Sequence, residues 1–238
     1  AVSANVLNQI FEIETDRLME RTANRPLVTG EINKKSAYVY STSLGLVGFL
    51  VLYTQTTELA AFIALSANIF YSFIYTLVLK PRTNQNIVIG GAAGAAPVLI
   101  GWSATGTNLD TGSWLLFLLV FLWTPAHFWA LSIDKLNDYK DANFPMLPTQ
   151  ESYKRTSIFI GIYSCATVLT SLLLAPILQL GMVYLLLSLI FGLYLMYKSY
   201  QLYRKQIKAI SYFVFSNTYL AVIFLSMVAD IFITLSSI

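Results

Sequence analysis

Charged side chains are scarce in this sequence. Asp, Glu, Lys and Arg make up 11% of its 238 residues, less than half the roughly 25% of a soluble domain, while 56% are hydrophobic and 14% aromatic. That balance excludes a soluble globular or disordered protein. The single cysteine, Cys165, permits no internal disulfide and reads as a packing residue. No stretch reads as a signal peptide.

Charge is absent altogether from residues 36–57, 59–79, 83–109, 111–133, 156–197 and 209–229, and a membrane-spanning helix needs only about 20 residues. The stretch 156–197 would be about 63 Å long as one helix, twice the ~30 Å of a hydrocarbon core, so it must fold back once. Leu180-Gly181 is the expected corner, with Pro176 just before it. Seven complete spans follow: 37–54, 58–79, 86–103, 113–133, 157–176, 181–201 and 213–236. Residues 1–15 read as an incomplete eighth span. The chain opens at Ala1 already in an apolar helical pattern, so further N-terminal sequence is expected ahead of it. The fold class is all-α, a polytopic membrane helix bundle.

All fifteen Lys and Arg fall in four segments, at 17–35, 80–82, 135–155 and 198–208. Pairs of spans separate these segments, which puts them on one side of the membrane, the cytoplasmic side by the positive-inside rule. The turns near 55–57, 104–112 and 177–180 carry no basic residue. The basic pI of 8.9 therefore expresses topology, and nucleic-acid binding is excluded for want of a basic face on a soluble fold. Nine of the twelve acids also sit on or beside the basic side. Glu58, Asp110 and Asp230 read as boundary residues without a role.

Asn8, Glu12 and Asp16 recur at i, i+4 and i+8, which confines them to about 80° of a helix surface, with Glu14 pointing away. A plain reading pairs Glu12 and Asp16 with Arg17 or Arg21 at a solvated helix end. Acids at a membrane boundary are costly, however, and suggest function. Asp134 and Asp138 repeat the i, i+4 spacing 122 residues later. Each cluster precedes a basic loop and three spans, which suggests two four-helix halves of similar plan. Two carboxylate-bearing helix ends with Arg and Lys between them suit Mg²⁺, held by carboxylates together with phosphate oxygens, while the cations neutralise remaining phosphate charge. A lipid diphosphate fits, and so does loss of its diphosphate. Tyr71, Phe73, Tyr75, Phe128 and Trp129 are candidates to stabilise an allylic cation.

Four stretches carry a resemblance: Asn8 to Glu12 with Asp16 to Val28, Leu79 to Thr83 with Asn86 to Gly94, Trp123 to Leu131, and Asp138-Tyr139 with Pro145 to Pro148. Together they resemble the haem O synthases, the protohaem IX farnesyltransferase branch of the UbiA superfamily of intramembrane prenyltransferases, over nearly the whole chain. The resemblance implies one prenyltransferase domain over 1–238, lacking the N-terminal helix of a nine-helix family. It implies Mg²⁺-dependent farnesyl transfer from farnesyl diphosphate to a vinyl group of haem B, with water adding to give haem O for terminal oxidases. It implies Asn8, Glu12, Asp16, Asp134 and Asp138 as metal ligands and Asp16, Asp138 and Lys80 as catalytic residues. Arg21, Arg25, Arg82, Lys135, Tyr139 and His127 are the implied substrate-binding residues. Haem A synthase or oxidase assembly proteins are implied partners, and a bacterial cell membrane, or a mitochondrial inner membrane, the location. Glu12 departs from the Asp of many relatives by one methylene.

His127, the only histidine, lies seven residues before Asp134, on nearly the same helical face. It reads either as a haem contact or as a hydrogen-bonded residue inside the bundle. The run Gly90 to Ala96 lacks a flanking strand and reads as close helix packing rather than a phosphate loop. Prenylation of a quinone precursor is the nearest rival function. A transporter also uses intramembrane acids, but near the midplane rather than at one face.

Overall fold

The computed structural model describes residues 1–236. In chain order its helices are α1 (Val2–Phe11), α2 (Ile13–Asp16), α3 (Pro26–Thr29), α4 (Lys34–Gln55) and α5 (Glu58–Ile69), which continues as a π-helix (Phe70–Leu79). Then come α6 (Asn86–Ala104), α7 (Thr111–Asp134), α8 (Leu136–Asp141), α9 (Leu147–Gln150), α10 (Tyr153–Ile177), α11 (Met182–Tyr203) and α12 (Ala209–Ser236). Among the described residues, seven spans are long and apolar enough to cross a bilayer. They match the seven expected spans to within about a turn, and the expected fold-back falls between Ile177 and Met182.

Short polar residues set several of the span boundaries. Asn33 accepts from the Ser36 amide at 2.8 Å, Thr57 from Ala60 at 3.1 Å and Ser152 from Arg155 at 3.2 Å. Each satisfies an amide that the first helical turn leaves without a partner. Asp110 does the same for α7, accepting from the Ser113 amide at 2.9 Å, so this boundary acid is a helix cap. Glu58 accepts from the Tyr53 hydroxyl at 2.9 Å.

The chain divides into two compact units, the first with α1 and three of the seven spans and the second with the other four. The first comprises residues 1–109 and 135–150. In it α1 packs on α4 and on the π-helix, and α5 packs between α4 and α6. Ser3 joins α1 to Ser41 of α4 at 3.2 Å and accepts from Asn68 of α5 at 3.2 Å. A Cβ on Gly90 of α6 would lie 2.3 Å from the Tyr75 ring. The glycine-rich run is therefore a packing surface, as expected, and its absent side chain is what admits that tyrosine.

The second unit comprises residues 110–134 and 151–238. Here α7 packs on α10 and α12, and α11 packs on both α10 and α12. Tyr212 and Ser164 share a 2.6 Å hydrogen bond, Tyr219 donates to Ser171 at 2.8 Å, and Tyr184 donates to the Ser171 carbonyl at 2.7 Å. These pairs satisfy hydroxyls that lipid could not. Asp230 is more than a boundary residue. It is buried and accepts from the backbone amides of Gly181 and Tyr184, so α12 caps the start of α11.

Three local expectations need correction. Cys165 is exposed on the outside of α10, not packed, because its neighbour Ser164 takes the inward position. The Asn8, Glu12, Asp16 stripe does not lie on one unbroken helix. The backbone opens at Glu12 (φ −102°, ψ 12°) between α1 and α2, although Glu12 and Asp16 still donate their amides to the carbonyls four residues back. The span 58–79 is α-helical only to Ile69. Its second half makes i→i+5 bonds, as in the Lys80 amide to the Tyr75 carbonyl at 2.8 Å.

Candidate active site

The first acidic motif is buried. Asn8 is 8%, Glu12 6% and Asp16 1% exposed, because α1 is covered by α4 and the π-helix. Carboxylates at such depth need opposite charge, and the chain supplies it from afar. Lys80, at the end of the π-helix, puts its Nζ 2.6 Å from both Glu12 carboxylate oxygens, with a hydrogen bond directed at Oε2. Arg25 donates from Nη1 to Asp16 Oδ2 at 2.5 Å. Arg17 pairs with the exposed Glu14 instead, so neither Arg17 nor Arg21 takes the neutralising role of the plain reading.

Around these pairs the π-helix provides most of the walls. Asn8 Nδ2 donates to Thr76 at 3.2 Å, and the Thr76 hydroxyl in turn reaches the Tyr71 carbonyl at 2.9 Å. The Tyr71 and Tyr75 rings stack at 5.3 Å, and both interact electrostatically with Glu12. The π-helical winding is what brings Tyr71, Tyr75 and Thr76 to one side of Lys80, a use of the π-helix often found at functional sites. Thr22 ties the loop that carries Arg25 to Asp16, through a 2.8 Å bond to its carbonyl.

Residues 135–150, which include Asp138 of the second motif, belong to this same unit. The Lys80 ammonium sits 4.5 Å from the centre of the Phe144 ring, and Tyr139, buried on α8, interacts electrostatically with Tyr75. Asp138 is half-buried on α8 in this segment. Asp134 closes α7 in the other unit and is exposed. Both motifs share a backbone device: Lys135 interrupts the helix between Asp134 and Asp138 (φ −105°, ψ 33°) much as Glu12 interrupts the first.

The acids face cations rather than one another. Among the described residues no three Asp, Glu, His or Cys side chains stand together as a ready metal cluster. Yet Asp16 Oδ1 is buried without a hydrogen-bond partner, Glu12 Oε1 has only the Lys80 ion pair, and Asn8 gives only its amide nitrogen to Thr76. The set is oxygen-only and carries two negative charges, which fits a hard divalent ion. Of the other expected site residues, Arg21, Arg82 and Lys135 are exposed. Phe144, Thr76 and the Lys80–Glu12 pairing itself went unrecognised in the sequence.

His127 is built into the second unit. Its ring is stacked between Trp123 at 4.2 Å and Phe213 at 4.1 Å, and Nδ1 is 2.7 Å from the Ser216 hydroxyl. Only Nε2 is left for any other partner. Trp129 packs against Phe159 and Tyr163, while Phe73 and Phe128 are exposed. Of the five aromatic candidates, Tyr71 and Tyr75 are the two tied electrostatically to Glu12.

The profile of the UbiA prenyltransferase family matches residues 1–228. Over 235 residues the chain is 41% identical to a protoheme IX farnesyltransferase of Clavibacter sepedonicus, covering 97% of this chain and 77% of that protein. It is 42% identical over 232 residues to the protein of the same name from Thermus thermophilus, covering 97% of this chain but only 38% of the Thermus protein. Among solved structures, a digeranylgeranylglyceryl phosphate synthase superposes with a TM-score of 0.78 at 23% identity, over 96% of this chain and 80% of its own. A UbiA homologue from Archaeoglobus fulgidus bound to GPP and Mg²⁺ superposes with a TM-score of 0.63 at 16% identity, over 94% and 82%.

Proposed function

The chain belongs to the UbiA prenyltransferase family, and from that premise we propose that it farnesylates haem B to haem O in a membrane. The name carried by relatives at about 40% identity supports this acceptor. The observation that carries the chemistry is the buried Asn8, Glu12, Asp16 set with Lys80 and Arg25 against it. We read residues 1–238 as one prenyltransferase domain with its reactive end on the basic, cytoplasmic side.

Bound Mg²⁺ supplies the positive charge that polarises the diphosphate and stabilises it as a leaving group. Asn8, Glu12 and Asp16 would hold it, with Asp138 as the second-motif carboxylate of the same unit. Before substrate arrives, Lys80 and Arg25 neutralise the buried acids. With a divalent ion held by the carboxylates, these two cations would be free to pair with the phosphate oxygens, joined by Arg21, Arg82 and Lys135 from the exposed loops. Phe144 keeps the Lys80 ammonium beside the site during that exchange. Tyr71 and Tyr75 present ring faces to the allylic carbon as positive charge develops there.

In the transfer, the C1–O bond of farnesyl diphosphate breaks and the electron pair leaves with diphosphate. The π pair of a haem vinyl group forms the new bond to C1. The cation left on the carbon next to the porphyrin is captured by water, which loses a proton to solvent. Membranes containing the protein, incubated with farnesyl diphosphate, Mg²⁺ and haem B, will yield a more hydrophobic haem by chromatography. Product from 4-hydroxybenzoate and none from haem would reverse the assignment in favour of a quinone-precursor acceptor.

We read His127 as a haem contact through Nε2. The Soret bands of haem bound to wild type and to His127→Ala then differ, and identical spectra and affinities would leave the residue a packing role alone. Haem A synthase or terminal-oxidase assembly proteins are the partners that fit a haem O producer.

A further inference from the structure

Within the second unit, α11 and α12 enclose an open apolar groove of about 520 Å³ lined by Ile190, Phe191, Leu193, Tyr194, Tyr197 and Phe215. Its walls are aromatic. The Phe191 and Phe215 rings lie parallel at 6.3 Å, and Tyr194 meets Phe215 edge-on at 4.6 Å. A groove of this kind on a membrane helix accepts any hydrocarbon, so its shape alone selects nothing.

Lys198 supplies the selection. A lysine near the end of a spanning helix ordinarily extends its ammonium towards water. Lys198, little more than a turn before the end of α11 at Tyr203, instead turns back along the helix. Its Nζ sits over the Tyr194 ring, 5.4 Å from the centroid, and Tyr194 is a wall of the groove. No carboxylate pairs with it among the described residues. A half-buried cation at a lipid boundary without a counterion calls for an anion. From Lys198 down to Ile190 the groove runs about 12 Å along the helix at 1.5 Å per residue, within the ~15 Å of one leaflet's hydrocarbon.

We propose that this groove is a binding site for one anionic phospholipid of the basic-side leaflet, its phosphate against Lys198 and an acyl chain along Phe191, Tyr194 and Phe215. A single cation matches a singly charged phosphodiester. A prenyl diphosphate carries more charge, and the groove lining includes no carboxylate to hold a metal beside it. The site therefore differs in chemistry from the acid-lined site of the first unit and stands without the functional reading given above.

The test is native mass spectrometry of the purified protein titrated with phosphatidylglycerol or phosphatidylcholine of matched chains. Wild type is expected to retain one phosphatidylglycerol about fivefold better than phosphatidylcholine, equivalent to about 1 kcal/mol for one lysine at an anionic surface. Lys198→Gln should abolish the preference, and Lys154→Gln, a basic residue of α10 outside the groove, should leave it intact. Leu193→Trp, which fills the groove, should lower retention of both lipids. Equal retention of the two lipids by wild type would overturn the proposal, as would a preference that survives Lys198→Gln. Displacement of phosphatidylglycerol by farnesyl diphosphate, or a dimer that excludes the lipid and is lost in Leu193→Trp, would assign the groove to another occupant.

Discussion

Replacing Lys80 by Met is expected to raise affinity for a free divalent ion while lowering affinity for diphosphate. The first effect runs against intuition and comes directly from the geometry. Lys80 Nζ lies 2.6 Å from Glu12, with 14% and 7% of the two side chains exposed, so a metal that ligates Glu12 must first displace the ammonium. Removing one partner of a buried pair costs roughly 3–5 kcal/mol, because the remaining charge is left uncompensated. The lower figure suits a lysine that still reaches some solvent. Without ligand, the variant should therefore unfold at a lower temperature than wild type. A divalent ion that neutralises Glu12 recovers about 3 kcal/mol in the variant only, which is about two decades of affinity at 1.4 kcal/mol per decade. Mn²⁺ binding by paramagnetic resonance, without diphosphate, reads this directly, and thermal unfolding with and without Mg²⁺ gives an independent measure. Pyrophosphate affinity in the presence of metal should fall in the same variant, since a phosphate-binding cation is gone. Mn²⁺ binding that is unchanged or weaker in Lys80→Met would refute the idea that lysine and metal compete for one carboxylate.

Asp16→Asn should reduce farnesyl transfer by at least two orders of magnitude with the protein still folded, measured as haem O formed per minute, because Arg25 loses its charged partner and the metal loses a ligand. Gly90→Ala should also depress activity. Its Cβ would fall 2.3 Å from the Tyr75 ring, so the ring must move away from Glu12, and Tyr75→Leu in the same background should relieve the accompanying loss of thermal stability. Asp230→Ala should lower stability by about 1–2 kcal/mol, the cost of a lost helix cap, without changing metal binding; an altered Mn²⁺ affinity would contradict this purely structural role.

The spans were legible because a bilayer imposes a length on uncharged sequence, and runs such as 111–133 satisfy it without ambiguity. The acids were legible as well, since Glu12 and Asp16 have no reason to sit at a membrane boundary unless something there needs them. Their partners were not. Lys80 lies 68 residues from Glu12, and local spacing favoured Arg17 or Arg21, which the fold leaves outside. The Asp230 cap on α11 was equally hidden, because a tertiary cap leaves no mark beside the amides it satisfies. The break at Glu12 was hidden too, as an i, i+4, i+8 pattern survives a break that keeps the hydrogen bonds of an α-helix in place.

The π-helical half of the second span carries a consequence for sequence drift. Over 70–79 the chain fits more residues into each turn than an α-helix would, so the segment behaves as though extra residues had been spliced into a regular helix. Taking out one residue while the remaining turns keep their winding would swing everything beyond the cut by most of the roughly 100° that one residue turns an α-helix. Lys80 would then leave Glu12 with its own identity intact. In this stretch the number of residues, more than their kind, holds the lysine on target, and a single-codon deletion should be as damaging there as losing the lysine itself.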